Sequence, residues 1–214
     1  MRPVQQDFAD RETEVRRYFT YLRQFDNGRM RSAGATEREE LFKTLKANGF
    51  LLLYNLVEST LKNSIEAIFD ELKARNVSFD DCRIEVRTQV LWNLKKRNVA
   101  SVIPNLSFIS TDLACATFLK DDLVSGNVDG RLVRDLAQVY GFALPKVRSD
   151  ELLTVKTIRN DLAHGLKTFS EVGREFDVER LEKIMREVIG FLRALLANIT
   201  AYIKTQSYLS TRSS

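Results

Sequence analysis

The sequence predicts an all-α fold, an antiparallel bundle of about five to seven helices that ends in a long C-terminal helix. The chain has 9 glycines and 3 prolines in 214 residues, too few for the many turns that short strands require. Its apolar residues recur at helical spacing over long segments. With 44% hydrophobic and 29% charged residues it has a globular composition, and we expect a single domain over residues 1–214.

The first two helices follow from apolar periodicity. Val15, Tyr18, Phe19 and Leu22 predict a helix over Asp7–Phe25. Thr36 is a predicted N-cap, because Glu39 three residues later would complete a capping box. The second helix then runs from about Glu37 to Ala74, and its apolar segment 50–57 (FLLLYNLV) is expected deep in the core.

A polar stripe crosses this second helix at helical spacing, formed by Asn55, Glu58, Ser59 and Lys62. The commoner interpretation is a solvated face. The alternative is that Glu58 and Asn55 face a polar cleft, where Glu58 supports a site by orienting groups in it.

Residues Asp80–Arg97 are predicted to form a third helix that carries a basic cluster beside the single tryptophan, namely Trp92, Lys95, Lys96 and Arg97. Such a cluster is able to bind a nucleic-acid backbone and stack a base. More often the tryptophan of such a cluster is part of the core and the lysines lie on the surface.

Three further helices are predicted in the C-terminal half. One starts at Asp129, runs through Tyr140 and is closed by Gly141. Another begins after an N-cap at Ser149 and ends before Gly165, a residue suited to the left-handed C′ position. Asp177 caps the long last helix, whose apolar residues alternate by four and three, and the tail is expected to fray from about residue 207.

Charge and cysteine content limit the functional classes. The net charge of +4 and pI of about 9.1 are compatible with a polyanionic partner without requiring one. Cys82 and Cys115 form neither a CxxC pair nor a Cys/His cluster, so we expect no zinc site, no disulfide framework and a cytoplasmic location. The N-terminus has no signal-peptide pattern, and segment 50–57 is too short to span a bilayer.

The segment KTIRNDLAHGL contains the only histidine, His164, five residues after Arg159. Metal-independent RNA cleavage needs a base for the 2′-hydroxyl proton, an acid for the leaving 5′-oxygen and a cation for the phosphate. Histidine performs either proton transfer, and arginine holds two phosphate oxygens at once. Asn160 would bind the phosphate or fix the imidazole tautomer, and Asp161 would orient His164, hold Arg159 or be a surface charge. A histidine in the last turn of a helix is also favourable without any function, since its cation complements the helix dipole.

The spacing sets a geometric condition. Five residues of α-helix turn through about 500°, which places Arg159 and His164 roughly 140° apart. They converge only if the helix unwinds at its end or if a partner chain completes the site. A symmetric dimer would supply two histidines, one as base and one as acid.

The segment RNDLAHG at a helix end, followed by a long amphipathic helix, resembles the HEPN superfamily and its Arg-x4-6-His motif. The matching residues are Arg159, Asn160 and His164. The close resemblance is to a stand-alone bacterial branch of the superfamily and covers roughly the C-terminal half of the chain. Glu58 is only loosely similar to a polar position on the family's preceding core helix.

The resemblance implies a helical bundle, a homodimer through the motif helices, and an endoribonuclease that cuts RNA without a cofactor. It also implies a role in toxin–antitoxin or antiphage defence, with an antitoxin or defence-system partner protein and no membrane. The alternative function is a non-catalytic HEPN-type module that binds nucleotide, RNA or a partner protein, because fold alone does not fix function.

Overall fold

The computed structural model describes residues 1–28, 34–105, 109–123, 126–147 and 150–210. Its α-helices are α1 (Arg2–Asp26), α2 (Ala35–Ala74), α3 (Ile84–Lys95), α4 (Val99–Val102), α5 (Ile109–Ala116), α6 (Gly130–Tyr140), α7 (Asp150–Ala163), α8 (Phe169–Glu175) and α9 (Val178–Lys204). Short 3₁₀ turns lie at Phe79–Asp81, Ile103–Asn105 and Lys120–Asp122. The described chain contains no strand longer than an isolated bridge, so the all-α prediction with a long C-terminal helix is confirmed.

The central element is α2, which contacts α1, α5, α7, α8 and α9. Its middle is buried as predicted, with Phe50, Leu53 and Tyr54 almost inaccessible to solvent. A helix that is apolar nearly all round is stable only when other helices surround it. This central position places the Tyr54 and Glu58 region of α2 directly beneath α7.

The predicted N-cap of α2 is wrong. The helix begins at Ala35, and Gly34 is its N-cap with no side-chain cap. The backbone stays helical through Thr36, so its hydroxyl does not cap the helix.

A true capping box occurs instead at α8, a helix that the periodicity did not predict. The Thr168 hydroxyl accepts a hydrogen bond from the Glu171 backbone, and the Glu171 carboxylate accepts one from the Thr168 backbone. Gly173 then lets α8 lie directly on α2, because a Cβ there would come within 2.3 Å of the Lys43 carbonyl oxygen. The contact fixes the segment that follows α7.

The helices that flank the candidate site end as the sequence predicts. The Asp129 carboxylate caps α6, and Gly141 closes it in the left-handed conformation with φ of 80°. Gly165 follows α7 with φ of 67°, and the Leu166 amide donates to the Asp161 carbonyl 2.8 Å away. The predicted N-cap Ser149 lies outside the described residues.

The C-terminal segment is packed where fraying was expected. Tyr208 is fully buried, and the Arg83 amide donates to its carbonyl at 2.8 Å. Leu209 forms an isolated antiparallel bridge with Cys82. Burial of the aromatic ring and these backbone contacts hold the described tail as far as Ser210. No helix in the described part of the chain combines the length and apolar character needed to cross a membrane.

Candidate functional site

Arg159 lies just before the last turn of α7, and three groups hold its side chain. Its guanidinium carbon lies 4.3 Å from the centroid of the Tyr54 ring. Its Nη1 donates to the Gly126 carbonyl at 3.0 Å and to Asn160 Oδ1 at 2.9 Å. The side chain is half-buried, and among the described residues Nε and Nη2 have no hydrogen-bond acceptor. The guanidinium is therefore fixed through one face and one nitrogen, and the other two nitrogens, with three N–H groups, are left for a ligand.

Tyr54 is the residue that the sequence argument missed. It is buried on α2, and its hydroxyl accepts a hydrogen bond from the Val128 amide at 3.2 Å. Burial raises the pKa of Tyr54, and the Glu58 carboxylate adds to this increase, against the opposing effects of the Val128 amide and Arg159. The tyrosine therefore stays neutral and offers Arg159 an aromatic face. The sequence feature that could have identified Tyr54 is its hydroxyl, the only one within the apolar segment 50–57.

Glu58 lies one turn beyond Tyr54, on the same face of α2. It is half-buried and pairs with Lys62 at 2.8 Å. The polar stripe therefore borders the site, although Glu58 itself makes no ion pair with Arg159 in the described structure.

The loop before α6 connects the site to the rest of the fold. Gly126 has φ of 75°, and a Cβ there would lie 3.3 Å from Arg159 Nη1. Asn160 Nδ2 donates to Asn127 Oδ1 at 3.0 Å. Asp129 pairs with Lys156 of α7 at 2.6 Å. Three polar contacts thus join this loop to residues 156–160 of α7.

Asp129 remains ionised despite its position. Its burial acts to raise the pKa, but the Lys156 hydrogen bond and the α6 backbone amides outweigh that effect and lower the pKa overall. The resulting carboxylate holds Lys156 while it caps α6.

His164 lies just past the end of α7 and is exposed. Its backbone amide donates to the Asn160 carbonyl at 2.9 Å, so the helical path continues to this residue without unwinding. Within the described structure its imidazole makes neither a hydrogen bond nor an ion pair, with Arg159 or with any other residue. The Asp161 carboxylate contacts neither group through a hydrogen bond; instead its carbonyl accepts the Leu166 and Lys167 amides.

A comparison with protein-family models identifies the family of this chain. Residues 3–208 match the family model described as MAE_28990-like HEPN. The chain belongs to the HEPN superfamily. Searches of curated proteins and of solved structures give no match. The superfamily includes ribonucleases, and HEPN domains often bind RNA and dimerise, so the chain is a nuclease-related or RNA-related module.

The motif helix of this HEPN domain carries uncovered apolar side chains. Leu153 on α7 is 54% exposed, and Leu166 beyond its end is 73% exposed. Leu153 and His164 are eleven residues apart, close to three helical turns, and so share one side of the helix. This outward side of α7 is apolar at one end and carries the imidazole at the other.

The basic cluster of the HEPN domain is at the surface. Trp92 is 53% exposed, which shows that the core interpretation of this residue is wrong. The Lys95 ammonium lies 5.0 Å from the centroid of its ring. Arg97 pairs with Asp122 at 2.6 Å and is part of the fold rather than of a free basic surface.

Proposed function

We propose that this HEPN protein is an endoribonuclease that cuts RNA without a metal ion, at a site completed by two copies of the chain. The observation that supports it is the contrast between a fixed Arg159, whose Nε and Nη2 are free among the described residues, and an exposed His164, whose imidazole has no partner in the described chain. Helix dipole effects account for a histidine at this position, but they do not account for a neighbouring arginine that is held in place with Nε and Nη2 left free.

The reaction transfers two protons. One neutral His164 takes the proton of the RNA 2′-hydroxyl, and that oxygen attacks the adjacent phosphorus. A protonated His164 gives its proton to the leaving 5′-oxygen as the P–O5′ bond breaks. Arg159 binds the phosphate oxygens through Nε and Nη2, and Asn160 supports it through Nη1. The products are a 2′,3′-cyclic phosphate and a 5′-hydroxyl.

Dimerisation supplies the second histidine. Because α7 is helical to Ala163 and the His164 amide still bonds the Asn160 carbonyl, the helix does not unwind to bring Arg159 and His164 together within one chain. A second copy that covers Leu153 and Leu166 would bury exposed apolar surface and bring a twin His164 to the same cleft.

A non-catalytic module is the second candidate, and one observation favours it. Arg159 already satisfies part of its hydrogen-bonding capacity within the chain, as a purely structural arginine would. In that case the HEPN surface would bind nucleotide, RNA or a partner protein without cutting it.

Cleavage in EDTA tests the function. Wild type, Arg159→Ala, Arg159→Lys and His164→Ala proteins are incubated with end-labelled single-stranded RNA, and the product termini are identified. We expect wild type to leave cyclic phosphates and His164→Ala to lose activity by about 10²–10⁴-fold. Intact RNA with folded wild type, or equal cutting by His164→Ala, would contradict the proposal.

A mixed dimer tests the shared site. Arg159→Ala and His164→Ala chains carrying different tags are refolded together, and the mixed species is purified. Partial recovery of cleavage over either parent would support a site to which both chains contribute.

We place this activity in toxin–antitoxin or antiphage defence, where cutting RNA arrests growth, with an antitoxin or defence protein as regulator. Expression in cells with and without intact His164 tests this: growth arrest that depends on His164 supports the placement, and unaffected growth at equal protein level opposes it.

A further inference from the structure

A groove of about 520 Å³ lies between α3 and α6, away from the Arg159 region. It is lined by Ile84, Glu85, Thr88, Gln89, Trp92, Lys96, Gln138 and Val139. Trp92 lines the groove, whereas Lys95, the residue over its ring, does not. The indole therefore offers surface to the groove that its own chain leaves uncovered.

The exposed side of α6 carries free positive charge. Arg131, Arg134 and Gln138 follow helical spacing of three and four, opposite the buried Val133 and Tyr140. Neither arginine forms an ion pair with any described residue. One acidic side chain, Asp135, lies beside this stripe.

The stripe connects the groove with the Arg159 site. At its start, Asp129 pairs with Lys156 of α7, and Asn127 contacts Asn160. From Asp129 to Gln138 a helix rises about 14 Å, at 1.5 Å per residue. A strand that enters the site is therefore within a few nucleotides of Trp92.

The groove itself favours an anionic ligand. Its one carboxylate, Glu85, is held by Arg83 through contacts of 2.7 and 2.8 Å, so its charge is largely offset. Lys96 has no ion pair among the described residues. Open aromatic surface beside unpaired cations is the arrangement that binds single-stranded nucleic acid, by stacking and phosphate contact together.

We propose that the exposed side of α6 and the α3–α6 groove form a binding track for single-stranded RNA, with one base stacked on Trp92. This inference rests on the proposed function in that the same RNA would continue into the Arg159 site. A protein partner would have to supply acidic side chains opposite both Arg131 and Arg134. A nucleic-acid backbone supplies a repeating phosphate that binds both arginines.

Trp92 is the only tryptophan of the chain, so its fluorescence reports on this groove alone. The full-length His164→Ala protein is titrated with an unpaired RNA oligonucleotide and with a duplex of the same sequence. We expect the unpaired RNA to quench the emission strongly, because a base stacks on the indole. The duplex, whose bases are already stacked, should quench it much less.

Variants in the His164→Ala background separate stacking from charge. Trp92→Ala should weaken RNA binding by roughly 5- to 150-fold, and Trp92→Phe should keep part of the affinity. Arg131→Ala with Arg134→Ala should reduce the slope of log affinity against log salt by about 1.4. Arg17→Ala with Tyr21→Ala is the matched control on α1, since Tyr21 is also 53% exposed, and it should change neither quantity.

The outcomes separate this track from the proposed function. Binding of unpaired RNA without quenching, or with equal affinity after Trp92→Ala, overturns the track even if wild type cleaves RNA. Specific quenching by RNA supports the track even if wild type cleaves nothing. Quenching by a protein partner in the absence of any response to RNA would overturn the RNA track and assign the groove to protein binding.

Discussion

Arg159 and His164 are five residues apart, yet their surroundings differ sharply. Arg159 is held by an aromatic ring, a loop carbonyl and a neighbouring amide from two other segments of the chain. His164 is exposed, and its imidazole has no hydrogen-bond partner among the described residues. The difference shows that the fold determines the position of the cation, whereas the imidazole is available to groups from outside the chain.

The largest effect is expected from blocking the second chain. Leu153→Asp should abolish dimerisation through α7 and lower RNA cleavage by about 10²-fold or more, because the twin His164 is removed. Leu119→Asp is the control, since Leu119 is 53% exposed and Leu153 54%. Light scattering and cleavage rates measure the two effects. A monomeric Leu153→Asp variant with full activity would contradict the shared site, because His164 would then be sufficient within one chain.

A smaller effect is expected on the free energy of unfolding, and it should differ between variants of Arg159 and of His164. Arg159→Ala loses a cation–π contact and two charged hydrogen bonds, and should lower the free energy of unfolding by about 1–3 kcal/mol. His164→Ala should change it by less than about 0.5 kcal/mol. Urea unfolding followed by circular dichroism measures both. Equal losses would mean that His164 has a structural role after all.

Two left-handed glycines test the loop that supports Arg159. Gly126 and Gly28 have φ of 75° and 70°, so alanine at either position should cost about 1–2 kcal/mol. Only at Gly126 would the added Cβ press on Arg159, at 3.3 Å from Nη1. Cleavage should therefore fall for Gly126→Ala and stay unchanged for Gly28→Ala. Similar cleavage by both variants would show that the loop does not position the arginine.

The smallest effect concerns acid. Because the folded state lowers the pKa of Asp129, its charge stabilises the fold above the ordinary aspartate pKa of about 3.9. That contribution is lost as the pH falls below about 4 and through the lower folded pKa. Asparagine caps helices about as well as aspartate, so Asp129→Asn removes the charge facing Lys156 and keeps the cap. Unfolding measured across this range should depend less on pH for the variant than for wild type.

The long helices could be predicted from the sequence, because the spacing of their apolar residues directly reflects which side of the helix is buried. The predicted second helix, Glu37–Ala74, differs from α2 by two residues at its start. The Asp177 cap of the last helix and the left-handed Gly165 were also correct. These features depend on local backbone chemistry, which sequence spacing displays.

Contacts between distant segments could not be predicted in the same way. Thr36–Glu39 and Thr168–Glu171 have the same capping pattern, and only the second one forms. The difference between the two segments lies in their tertiary contacts, since α8 packs on α2 at Gly173. Tyr54 was missed and Trp92 was expected in the core for the same reason, because helical spacing does not tell which neighbour covers an aromatic ring.

The turn at Gly165 and the capping box at Thr168 fix both ends of the short connection from α7 to α8. His164 is therefore attached to a backbone with little freedom to swing, and the imidazole moves only by rotation about its own side-chain bonds. A site of this kind does not require the His164 backbone to move. If two chains complete the site as proposed, activity would depend on the concentration of chains and on anything that competes for α7, so that assembly would act as the switch.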